Sequence, residues 1–359
     1  MGVLPTPGAG ECVYNEGVDS KPQCPVTLQK QRARRASPRA GCPLLLTLTL
    51  VALLVRAAIA AVTPPDSGAP SRKDLTTAVK RLEKKLGFRR TKNFHTESTE
   101  SAVAYRCYYT GKLELPDSYE KLQLLNGTKA GCALDPQKYD VFFYPLDAMG
   151  SGKSPVSAAL AHESLERFLV VVPHEDFHAT AELHKLPAAW GEASATLIGF
   201  LTGAEVARQQ LGEDSEVYQN LRREPELFAR KAEIVNRYHV QLSQLYAAAR
   251  AGQISEGDAR AQKQQAFEEL HQACMAISPE PKSFNRCLAA NNNAGLAFDE
   301  TYTKYYPMMY QLYVKEGREL KPTIDALQRV MDAKSEDEAL QNLQSAVARD
   351  EKLVGTHFR

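Results

Sequence analysis

Val170-Val171-Val172-Pro173-His174-Glu175-Asp176-Phe177-His178 ends in two histidines separated by three residues, with a carboxylate beside the first. On a helix, His174 and His178 stand at i and i+4 on one face, with Cβ atoms about 5–6 Å apart. Two imidazoles so placed can ligate one Zn²⁺, and Glu175 then lies near the open position of the metal. Water bound there has its pKa lowered to about 7, and a neighbouring carboxylate can take its proton as it attacks a carbonyl carbon. Helix is expected here. Pro173 suits a first helical position, Glu175 and Asp176 suit the positive end of the helix, and Ala179 to Leu186 contains no breaker before Pro187.

A histidine pair of this kind also occurs on plain helix surfaces, so a third ligand decides its meaning. Three residues nearby have the right chemistry: Glu182, His184 and Glu192. Glu182 extends the i, i+4, i+8 series, but three successive turns of a straight helix do not converge on one ion. His184 gives H-E-x-x-H-x-x-x-x-x-H, the metzincin spacing. That pattern needs a glycine where this chain has Ala181, because the helix must turn sharply there and alanine takes a left-handed conformation at a cost. Met308-Met309 is only a loose echo of the methionine turn that should follow. Glu192 fits better. Pro187 ends the first helix, Trp190 to Phe200 reads as a second, and a helical hairpin brings Glu192 back over the histidines. Two histidines from one helix and a glutamate from the next, with a fourth position open to water, is the gluzincin arrangement.

Around this centre the chain has 44 Lys+Arg against 43 Asp+Glu, a formal net charge of +1, and 43% hydrophobic residues. That is a globular composition, with no basic excess pointing to nucleic acid. The first sixty residues differ. Residues 1–31 are rich in Gly, Pro and polar residues without periodicity. Arg32, Arg34, Arg35 and Arg39 then precede an apolar run from Pro43 to Val55, and Ala58-Ile59-Ala60 follows. This is a secretory signal with cleavage expected after Ala60, and its apolar run is short for a stable membrane span. Export to the periplasm or beyond is therefore expected. Four cysteines remain after cleavage, and the near pairs Cys107–Cys132 and Cys274–Cys287 are expected as disulfides.

Residues 61–71 read as a linker, 72–160 as an N-terminal α+β part, 161–335 as a catalytic helical domain and 336–359 as a C-terminal helix and tail. Asp74 to Leu86 has helical spacing and stops at Gly87. Short β-prone runs lie between Ala102 and Pro145, notably Tyr139 to Tyr144. Ser215 to Ala251 reads as one long helix, and Ser255-Glu256-Gly257-Asp258 starts another that reaches Cys274. Gly150-Ser151-Gly152-Lys153-Ser154 lacks the first glycine of a phosphate loop, since residue 147 is Asp. His162-Glu163 has Glu166 where a second histidine would be needed. His239 and His271 read as packing or surface residues.

These blocks resemble a bacterial family of predicted aminopeptidases with a gluzincin motif. The likeness rests on the apolar run into His174–His178 with Glu192 to Gly199 after it, on the hairpin from Leu245-Tyr246-Ala247 to Gln262-Lys263-Gln264, and on Asn292-Asn293-Ala294-Gly295-Leu296-Ala297 with Thr301-Tyr302. It spans roughly 100–330. The chain departs from the family in having Gly191 where Asn is usual, and Asp176-Phe177 where small or apolar residues are usual. The resemblance implies His174, His178 and Glu192 as zinc ligands, Glu175 as base, and Tyr302 as a residue that steadies an oxyanion. It implies a mainly α (α+β), zincin-like fold and hydrolysis of peptide or protein substrates. The alternative is a zincin scaffold that binds without turnover.

Overall fold

A computed structural model describes residues 70–150 and 152–348. The leader, the signal segment and its cleavage point, nearly all of the linker, and the tail after residue 348 lie outside the described residues.

Helix α1 (Arg72–Leu86) opens with a capping box: the Ser71 hydroxyl accepts from the Asp74 amide, and the Asp74 carboxylate accepts from the Ser71 amide. It stops at Gly87, whose φ of 88° is left-handed. Strands β1 (Ala104–Gly111), β2 (Gln123–Asn126) and β3 (Tyr139–Leu146) make an antiparallel sheet in the order β2-β1-β3. The remainder is helical: α2 (Ala158–His162), α3 (Leu165–Ala181), α4 (Ala188–Leu211), α5 (Glu216–Leu221), α6 (Glu224–Arg250), α7 (Glu256–Met275), α8 (Asn293–Thr303), α9 (Tyr306–Lys315), α10 (Leu320–Met331) and α11 (Glu336–Ala348). The main-α expectation with a small sheet holds. None of these helices is long and apolar enough to cross a membrane.

Helix α3 forms the centre. The Ser164 hydroxyl caps it by accepting from the Arg167 amide, and every residue from Arg167 to His178 is buried. A helix buried on all sides needs apolar residues all round, which the run Phe168 to Val172 supplies. Pro173 therefore lies inside the helix rather than at its first position, because the buried run extends the helix back to Leu165. Proline has no N–H to give the carbonyl four residues back, that of Leu169. Helix α4 closes on this bare stretch of backbone. A Cβ at Gly203 would sit 2.6 Å from the Leu169 carbonyl oxygen, and one at Gly199 would sit 2.9 Å from that of Val170. Only glycine permits that approach.

The sheet joins the helices through an aromatic cluster. Phe298 of α8 lies 4.8 Å from Phe142, 5.0 Å from Tyr144 and 5.2 Å from Tyr108, centroid to centroid, and 5.5 Å from Tyr302 one turn along. Helix α8 is also tied to α6 by a fully buried ion pair, Lys231 to Asp299 at 3.0 Å. On the far side of α3, buried Asp176 pairs with Lys80 of α1 and accepts hydrogen bonds from Thr91 and from Asn93 Nδ2, the last at 3.1 Å.

Two expectations are corrected. Ser215–Ala251 is not one helix: α5 ends at Leu221 and α6 begins at Glu224, since the ring of Pro225 would clash with the carbonyl of Leu221 in a continuous helix. Of the two expected disulfides, Cys107–Cys132 is formed, with its Cα atoms 5.8 Å apart. Cys274 and Cys287 are free thiols. Cys274 is buried on α7, and the Cys287 sulfhydryl is turned to the His271 carbonyl at 3.5 Å.

Candidate metal centre and active site

His174 and His178 follow each other by one turn on α3, and Glu192 enters from the first turns of α4. The hairpin between them is tight. The chain leaves α3 through a short turn at Glu182–His184, passes Lys185 in a left-handed conformation, and restarts after Pro187. All three side chains are buried, and their ligand atoms lie within 4.8 Å of one another. The Nε2 atoms of His174 and His178 are 3.1 Å apart, and Glu192 Oε2 lies 3.3 Å from each. His184 and Glu182 are not in this group: both lie on the turn beyond α3, with Glu182 exposed.

The donor set fits a metal ion. A tetrahedral ion with bonds of about 2.0–2.1 Å needs ligand atoms roughly 3.3 Å apart. The separations in this triangle match that spacing. Glu192 Oε2 is buried and makes no hydrogen bond, although two nitrogens stand close by. Lone pairs that converge without protons between them repel, and a cation at their meeting point removes the conflict.

Charge follows the same layout. Burial by itself would raise the Glu192 carboxyl, but His178 and the two nearby imidazole nitrogens hold it well below the usual carboxylate range, so it is an anion. Burial lowers the His174 imidazole. At His178 burial acts the same way, and the negative charge of Glu192 outweighs it and raises the imidazole.

Glu175 is completely buried next to this triangle, and neither of its carboxylate oxygens has a hydrogen-bond partner. Burial pushes its carboxyl up to about 8. Gly150, in the loop after β3, packs against it: a Cβ there would lie 3.1 Å from Glu175 Oε2. Tyr302 is fully buried, its ring roughly parallel to that of His174 at 6.2 Å. Burial raises its phenol well above the ordinary value, so the hydroxyl keeps its proton. Expected ligands, base and tyrosine thus meet in one place.

One residue of the site has no counterpart in the sequence reading. Tyr119, in a short turn before β2, donates a 2.8 Å hydrogen bond to Glu192 Oε1. The next residue, Glu120, accepts from the Ala188 amide at 3.0 Å and so caps α4, whose own N-cap residue is Pro187. No periodicity or motif marks these two residues; only their fold places them at the mouth of α4. They line a cavity of about 310 Å³ together with His178, Trp190, Gly191 and Glu192, and Met331 bounds it from α10.

A search of curated proteins finds no match to this chain, and a search of solved structures finds none either. The sequence model of the family described as "Putative aminopeptidase" matches residues 128–342, which include the whole of α3, α4 and α8. That match takes in more than half of the 359 residues, and the chain belongs to this aminopeptidase family.

Proposed function

We propose that the protein is a zinc-dependent peptidase of the gluzincin type, with His174, His178 and Glu192 as ligands and Glu175 as general base. The observation that carries this reading is the buried triangle of Nε2, Nε2 and Oε2 at metal-ligand spacing, with an unpartnered carboxylate beside it. Membership of an aminopeptidase family supplies the substrate class, a peptide.

A zinc ion in this site would acidify a water molecule and polarise the scissile carbonyl. The chain's own residues do the rest. Both Glu175 oxygens are free to accept a proton, and desolvation brings the basicity of the carboxylate toward neutral pH. Glu175 takes the proton of the attacking water and delivers it to the leaving amine. The Tyr302 hydroxyl, kept protonated by burial, serves as a donor for the oxyanion that develops on the carbonyl. Tyr119 holds Glu192 by its outer oxygen and leaves the inner one facing the histidines. The same reading takes the chain to be exported after cleavage behind Ala60, which the Cys107–Cys132 cross-link supports.

Metal analysis of the purified protein, with cleavage of a peptide library measured on the same sample, tests the proposal. Stoichiometric zinc with metal-dependent cleavage is expected. Zinc-loaded protein that cleaves no peptide would favour a binding role on the same scaffold.

A further inference from the structure

We propose that Gly191 keeps open a subsite beside His178, in which a carbonyl oxygen of the bound peptide accepts a hydrogen bond from the imidazole Nδ1. The inference rests on the zinc-peptidase reading above and adds a substrate contact to it.

The starting point is a glycine that packing does not explain. Gly191, Gly199 and Gly203 fall on one stripe of α4, at multiples of four residues. The last two are needed where the backbone of α3 comes within 3 Å of a Cβ position. Gly191 is not. A Cβ there would meet only His178 Nδ1, at 3.7 Å, an ordinary contact. Its backbone is helical, and glycine inside a helix costs about 1 kcal/mol relative to alanine. The room it leaves belongs to the 310 Å³ cavity that both Gly191 and His178 line.

His178 supplies the second half. Its Nε2 faces His174 and Glu192, and a ligating nitrogen carries no proton, so in the neutral ring the proton sits on Nδ1. A ligating histidine ordinarily donates that N–H to a carboxylate or carbonyl. Among the described residues, none hydrogen-bonds the Nδ1 of His178, although the residue as a whole is only 2% exposed. The donor thus has no protein partner, and it faces the space that Gly191 vacates, at the wall of the cavity. A peptide carbonyl is the acceptor every substrate of this class carries. Neither an ammonium nor an apolar side chain could take the bond.

The test compares Gly191→Asn, which supplies an acceptor of its own, with Gly191→Ala, which fills space without one. Zinc affinity is read by chelator competition in the absence of peptide, and KM is read with tetra-alanine. In Gly191→Asn, zinc should be held about tenfold more tightly than in the wild type, the scale of an outer hydrogen bond to a ligand. Its KM should rise at least several-fold. Gly191→Ala should raise KM without the gain in zinc affinity. Gly191→Ser, with a smaller acceptor, takes the place of Asn if thermal melts show that Asn prevents folding. Equal zinc affinity in the Asn (or Ser) and Ala variants, or an unchanged KM in both, overturns the subsite. A wild-type protein that binds no zinc refutes the metal reading instead, so the two failures are distinct.

Discussion

The Tyr119 hydroxyl and the Glu192 carboxylate, 73 residues apart in sequence, meet at 2.8 Å across the mouth of α4. The bond occupies Oε1 and leaves Oε2 directed at both imidazoles. Tyr119→Phe removes the hydroxyl and keeps the ring. Zinc affinity should fall by about 10- to 100-fold while the melting temperature moves little. Chelator competition on the two proteins checks this, and equal affinities would show that Tyr119 does not orient the ligand.

Substitutions at Glu192 and His184 separate the two readings of the third ligand. Glu192→Gln should weaken zinc binding and nearly abolish turnover, because a neutral amide is a poor ligand. His184→Ala should keep the metal, since His184 stands outside the triangle. Glu175→Gln should keep it too, with the rate lowered about 10²-fold or more through loss of the base. Metal analysis beside kcat distinguishes the three; a zinc-replete, active Glu192→Gln with a dead His184→Ala would reverse the assignment.

Asp176 is buried to 1% and depends on Lys80, Thr91 and Asn93 for compensation. Lys80→Met leaves that carboxylate without its cation, at an expected loss of about 3 kcal/mol, at the low end for a buried pair because Lys80 is partly exposed. Lys80→Met combined with Asp176→Asn should recover part of it. Urea unfolding of the three variants gives the coupling, and a double mutant no better than Lys80→Met alone would count against the pair as the cause.

Glu300 predicts a pH dependence. Burial raises its carboxyl to about 8 in the fold. A folded pKa above the unfolded one means that the unfolded state gives up the proton more readily. The contribution of Glu300 is therefore whole below about 4.5 and is lost as pH rises toward and through 8. Glu300→Gln does not titrate. Relative to this variant, the wild type should lose at least about 1 kcal/mol between pH 5 and pH 8, roughly 2–4 °C in Tm. Parallel melting curves of the two proteins across that range would exclude the effect.

Non-reducing peptide mapping of exported protein should return one disulfide, Cys107–Cys132, and an alkylatable thiol at Cys287. Cys132→Ser should cost about 2–4 kcal/mol, the usual range for a cross-link closing a loop of this kind. Recovery of all four thiols free would contradict the export reading as well.

The centre of this molecule is readable from sequence because its parts are local. His174, Glu175 and His178 lie on one turn, and Glu192 follows within a single hairpin, so helical geometry alone brings them together. Ser71 and Gly87, and Ser255 before α7, mark helix ends by residue type. What was not legible depends on distant partners. Tyr119 has no local signature. Pro173 reads as a helix start, and it is tolerated mid-helix only because Gly203 and its neighbours cover the exposed carbonyl. The break before Pro225 has a local signal, since an interior proline disfavours a continuous helix, although Pro173 shows that the residue type alone does not forbid one. The thiols of Cys274 and Cys287 are near in sequence and neighbours in the fold, and spacing alone does not tell a thiol pair from a disulfide.

The Lys80–Asp176 tie spans 96 residues. During synthesis α1 emerges long before the acid that compensates its lysine, and Lys80 must wait for α3 before it has that partner. Asp176, for its part, sits between the two histidines and is solvated until α1 docks. Assembly of the histidine face is thus linked to the docking of α1. A clipped molecule without α1 leaves Asp176, two residues from each imidazole, with only the neutral donors Thr91 and Asn93, and α3 of such a fragment should be the first element to come loose.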